Sequence, residues 1–143
     1  MIDNSATLCL HIPVAIPLGS RTLHGELALP AHASEVRVCV GDGTDRAAQR
    51  RQARKCAARA IAALNVESAD MTSGDLLKII DWVRSRRLLQ PLPISLVTPS
   101  TQALAALKAA HHRPACVRNV LVSGSAERAP KRRVRHLSLA YSA

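Results

Sequence analysis

The chain has 143 residues, enough for one domain with one core, and 48% of them are hydrophobic. Aromatic content is 1% with no Phe, so the core must be built from Ala, Leu, Ile and Val, and with only Trp82 and Tyr141 to stack on, the composition argues against a single-strand nucleic-acid binder. A net charge of +10 favours acidic partners: nucleic acid, an anionic surface or an acidic protein. In chain order, the first apolar segment is Ile12–Ile16, bounded by Pro13 and Pro17. After Gly19-Ser20, Leu23, Gly25, Leu27 and Leu29 alternate with Thr22, His24, Glu26 and Ala28, a period of two that predicts an antiparallel hairpin over 12–30. Glu35–Val40 is the next strand and runs into Gly41-Asp42-Gly43-Thr44. Ala47–Ala60 carries no Gly or Pro and reads as a helix. Ile61–Val66 is a short strand. From Ser73-Gly74-Asp75, a helix places Leu76, Ile79, Ile80 and Val83 on one buried face until Pro91-Leu92-Pro93 stops the chain. Ile94–Val97 is a strand, Ser100–Ala110 an Ala/Leu helix with Leu104 and Leu107 on one side, and Cys116–Val122 a strand. Val134–Tyr141 is the last candidate strand.

This order predicts a single α/β domain over 1–143: a hairpin at 12–30, an alternating strand and helix core at 35–127, and a basic tail with a last strand at 128–143. The expected architecture is a three-layer sandwich around a mostly parallel, mixed sheet. Charge concentrates in Arg46–Arg59, Arg84–Arg87 and Arg128–His136, which fits solvated helix faces and a basic tail. Cys9, Cys39, Cys56 and Cys116 form no C-x-x-C pair, so reduced thiols are expected and no metal or cofactor motif is present. Met1–Ser5 carries Asp3 and no basic run, so no signal peptide is read and a cytoplasmic protein is the expectation. No apolar run reaches the ~18 residues needed to span a bilayer.

The residues also carry a family resemblance. IPLGSRTLHGELALP, followed by a strand and GDGTDR, resembles the hairpin, strand and oxyanion loop of dienelactone-hydrolase-like proteins of the α/β-hydrolase superfamily. There a Leu-x-Gly-x-Leu strand leads to a strand ending in His-Gly-x-Gly-x-x-Arg. LLKIIDWVRSRRLLQPLPISLVTPSTQALAALKAA resembles the family's helix, Leu-Pro-Ile strand and Gly-x-Ser-x-Gly elbow, and RPACVRNVLVSGS resembles the strand after it. The resemblance covers roughly residues 12–128. It implies a shortened α/β-hydrolase-like fold. The family's nucleophile falls on Ser100, its two elbow glycines on Thr98 and Gln102, and its oxyanion-loop His on Val40. The loop glycines are kept as Gly41 and Gly43, and the Arg as Arg46. The family's catalytic acid and His normally follow later strands, whereas this sequence stops at Ala143.

A serine nucleophile needs a base, a carboxylate that orients the base, and two N–H groups for the oxyanion. The resemblance assigns those N–H groups to Thr101 and Asp42. His136 is the only late candidate base, and no acidic residue follows it, Glu127 being the last. The same residues allow a plainer reading: Thr98 as N-cap and Pro99 at the first helical position, with Ser100 in relaxed geometry. His111 and His112 suit a helix C-terminus, and His11, His24 and His32 suit a surface. Arg46 and Arg50 beside Gly41-Asp42-Gly43 are candidates for holding an anion.

The leading expectation is a non-catalytic α/β-hydrolase-like protein acting by binding or self-assembly. Its partners would be a second copy joined at an exposed edge along Val134–Tyr141, or an acidic protein. The alternative is a residual ester or lactone hydrolase using Ser100 and His136. Nucleic-acid binding through the Arg46–Arg59 helix is a weaker alternative, and no membrane partner is expected.

Overall fold

The computed structural model describes residues 8–41, 46–68 and 70–123. The candidate strand at 134–141 and the basic tail therefore lie outside the described residues. Among the described residues, six strands form one sheet: β1 (Cys9–Pro17), β2 (Thr22–Pro30), β3 (Glu35–Gly41), β4 (Ile61–Glu67), β5 (Ile94–Pro99) and β6 (Val117–Ser123). Three helices connect them: α1 (Arg46–Ala58), α2 (Ser73–Ser85) and α3 (Ala103–His112). The strand order is β1-β2-β4-β3-β5-β6. β1, β2 and β4 pair antiparallel in turn, while β4, β3, β5 and β6 are mutually parallel, so the sheet is mixed as the alternation implied.

The hairpin closes where Leu18 N–H donates to Arg21 C=O at 2.8 Å, across Gly19 at φ +91°. That left-handed backbone is why a glycine stands there. β1 is an edge strand in this sheet, and only an edge accommodates Pro13, which has no N–H to give to a ladder. Thr72 caps α2: its Oγ1 accepts from Asp75 N–H at 3.1 Å, and Asp75 Oδ2 accepts from Thr72 N–H at 3.2 Å. The capping box starts the helix at Ser73, where Ser73-Gly74-Asp75 pointed.

Crossovers between parallel strands are right-handed. The chain steps from β3 to β4 in one direction, and from β4 to β5 and β6 in the other. α1 therefore covers one face of the sheet, against β4 and β2, while α2 and α3 pack together on the other. The two faces have unequal cores. The α2–α3 side buries Val36, Val38, Leu64, Ile79, Ile80 and Leu96 in one cluster. The α1 side has a smaller cluster of Ala28, Ala53, Cys56, Ile61 and Ala63.

α3 packs through its alanines. It buries Ala106, Ala109 and Ala110, while Leu104 is 66% exposed. The alanine stripe lets the helix backbone approach the sheet closely, where a leucine would not fit. Cys116 departs from expectation: it lies in the turn before β6 and accepts from Arg84 at 3.0 Å.

Candidate functional site

The parallel strands β3, β4, β5 and β6 all end at the same edge of the sheet, where α/β proteins generally bind ligands. Gly41 ends β3, Glu67 ends β4 with Ser68 just beyond it, and Pro99 ends β5 with Ser100 just beyond it. Ser68 N–H donates to Gly41 C=O at 2.8 Å, which ties the first two strand ends together.

Ser100 sits where the resemblance puts a nucleophile, between a central strand and a helix. It is exposed and opens a 3-10 turn, Ser100–Gln102, that leads into α3. Pro99 before it has φ −67° and ψ 160°, and Ala103 N–H returns to Ser100 C=O. Among the described residues only His32, Ala60 and Gly19 have positive φ. Ser100 therefore carries none of the backbone strain that marks a nucleophile elbow. No His or carboxylate among the described residues hydrogen-bonds its Oγ.

The two elbow-glycine positions explain the relaxed turn. Thr98 is not the helix cap: it belongs to β5, opposite Val122, and is fully buried. Parallel pairing with β6 holds it in the ladder and turns its side chain to the same side as Ile94 and Leu96. There its Oγ1 is buried without a hydrogen-bond partner. Gln102 is 6% exposed and its Nε2 donates to Ser68 C=O at 3.2 Å, clasping the end of β4. Sequence reasoning missed this clasp, and nothing in the local sequence signals it. A buried hydroxyl without a partner costs about 1–3 kcal/mol. Thr98→Val should therefore raise stability by about 1 kcal/mol in urea unfolding. Unchanged or lower stability would show that the hydroxyl is satisfied.

The remaining site residues fall as follows. Thr101 is exposed in the 3-10 turn. Asp42 and His136 lie outside the described residues. Arg46 opens α1 and makes a two-point ion pair with Glu67, at 3.3 and 3.4 Å. Arg50 stands one turn further along α1, and both line a cavity between α1 and the hairpin. The structure thus brings Arg46 and Arg50 together and leaves Ser100 apart from them, at the end of β5. His111 and His112 lie in the last turn of α3, beside their expected helix terminus.

Three of the thiols are held protonated. Burial pushes the Cys39 thiol up to about 12, with nearby Cys56 adding to the effect and Arg37 opposing it. Burial also raises Cys56 and Cys9. Such thiols stay protonated at neutral pH and are poor nucleophiles. No described helix is long and apolar enough to cross a membrane.

No family model matches this sequence, and no curated protein matches it. Solved structures do. The chain is similar to a dienelactone hydrolase from Anabaena variabilis, with TM-score 0.70 and 22% identity over 80% of this chain and 63% of that one. An esterase domain from a Rhodothermus marinus protein matches with TM-score 0.66 and 17% identity, over 79% of this chain and 51% of that one. A cold-adapted esterase from an Arctic intertidal metagenomic library gives TM-score 0.61 and 15% identity, over 81% and 59%. The chain has a dienelactone-hydrolase-like α/β-hydrolase fold, and it spans less than two thirds of the length of each of these proteins.

Proposed function

We propose that this chain is a non-catalytic binding protein built on the α/β-hydrolase scaffold. The observation that carries the reading is the turn at Ser100. Its backbone is relaxed, and side chains occupy both positions where the fold's hydrolases keep glycine. Thr98 is fully buried in β5, and Gln102 bonds the turn just past the end of β4. A serine held this way lacks the sharp turn that lifts a nucleophile toward substrate and oxyanion donors.

The test is intact-mass analysis after incubation with a fluorophosphonate, on the chain and on Ser100→Ala. No adduct on either protein is the expected result. A single adduct that disappears in Ser100→Ala would overturn the reading.

A second reading is favoured by one observation: Ser100 is exposed at the end of a central parallel strand and opens a helix. In that reading the chain is a residual serine esterase. Ser100 attacks, Thr101 and Asp42 N–H groups meet the oxyanion, and His136 takes the proton. Ester hydrolysis that persists unchanged in Ser100→Ala would remove it.

A further inference from the structure

α1 and the β1–β2 hairpin enclose a cavity of about 600 Å³ on the face of the sheet away from α2 and α3. Its two walls follow from simple periodicities. Arg46, Arg50 and Arg54 recur every four residues, so they form one stripe along α1. On β2, the period of two puts His24 and Glu26 on the same face as Ala28, which packs under α1. His11 of β1 pairs with Ala28 and joins that wall. Ala53 of α1 and Asn65 of β4 also line the cavity.

The charges in this space do not cancel. Glu67 is engaged by Arg46 at 3.3 Å. Arg50 and Arg54 have no ion pair among the described residues. Two guanidinium groups one helical turn apart thus line a concave space whose far wall carries two imidazoles. Guanidinium forks match phosphate oxygens in a two-point geometry, and imidazole N–H groups add donors. Glu26 supplies an acceptor for a hydroxyl. The volume lies within the roughly 300–1,000 Å³ typical of small-molecule sites. Among the described residues, no Phe, Tyr or Trp side chain lines it.

We propose that this cavity binds a small organic phosphate bearing hydroxyl groups, held by Arg50 and Arg54 on one side and by His11 and His24 on the other. The proposal does not depend on whether Ser100 is active, because the cavity contains no part of the Ser100 turn.

The experiment is calorimetric titration of inorganic pyrophosphate into the full chain and two variants. Arg50→Ala/Arg54→Ala removes the cavity's guanidiniums. Arg86→Ala/Arg87→Ala removes the same charge from an exposed site beyond α2. The expected result is one-site binding by the chain, weakened by about tenfold or more in the first variant and kept within about threefold in the second. Should the first variant fail to fold, His11→Ala/His24→Ala reads the opposite wall and should weaken binding by about fivefold. An absence of saturable binding, equal weakening by both arginine pairs, or unchanged affinity in the histidine variant would overturn the proposal.

Discussion

Gly25→Ala should destabilise the protein by about 3 kcal/mol, the upper range for an added methyl group in a packed interior. Gly25 lies on β2 opposite Val66 of β4. A Cβ there would strike the Asn65 carbonyl oxygen and come within 2.9 Å of Val66 Cγ1. The valine methyl can rotate away, but the carbonyl oxygen is backbone in the next strand. Relief therefore requires moving β2 away from β4, which strains the pairing that joins the hairpin to the parallel strands. Urea unfolding of Gly25→Ala against the unaltered chain measures the effect. Unchanged stability would mean that the two strands lie further apart than described.

Leu64→Ala should cost about 3–4 kcal/mol in the same assay. Leu64 is fully buried in the middle of β4, with Leu27 and Val38 as its neighbours on the two flanking strands. It faces the larger of the two cores. Removing most of its side chain loses buried apolar area and leaves a cavity that three strands cannot collapse together. Leu104→Ala is the matched control. Leu104 is largely solvent-exposed on α3, so its truncation should change stability by no more than about 0.5 kcal/mol. Equal effects of the two substitutions would contradict the described packing of α3 and β4.

Much of the fold was legible because its signals are local. The alternation from Leu23 to Leu29 across Gly19-Ser20 points to one structure only, an antiparallel hairpin. The stripe of Leu76, Ile79, Ile80 and Val83 likewise points to one buried helix face. The misreadings arose where two local patterns competed and tertiary context chose. Leu104 and Leu107 share one side of α3, yet close approach to the sheet buries the alanines, leaving Leu104 exposed and Leu107 only partly packed against the core. Thr98-Pro99-Ser100-Thr101 is a good helix start taken alone, yet pairing with β6 draws Thr98 and Pro99 into β5 and pushes the α-helix to Ala103. At the cavity, the arginine repeat of α1 was visible in the sequence. Its histidine wall was not, because His11 and His24 meet α1 only through the pairing of β1 with β2 and of β2 with β4.

The unequal cores bear on which part of the molecule opens first. α1 buries just Ala53 and Cys56, and it gathers Arg46, Arg50, Arg51, Arg54 and Lys55 with no acidic residue of its own, Glu67 of β4 pairing only Arg46. Its first turn holds a cation where the helix dipole favours an anion. Just beyond its end, Ala60 is held at φ 59°, a left-handed backbone that usually falls to glycine. Each of these features lowers the cost of local opening, so the backbone amides of α1 exchange with solvent more readily than those of α2. A polyanion bridging Arg50 and Arg54 would neutralise the repulsion along the helix and pin it to the hairpin. Occupancy of the cavity would then be registered as protection of one helix, while the hairpin and the larger core stay as they are.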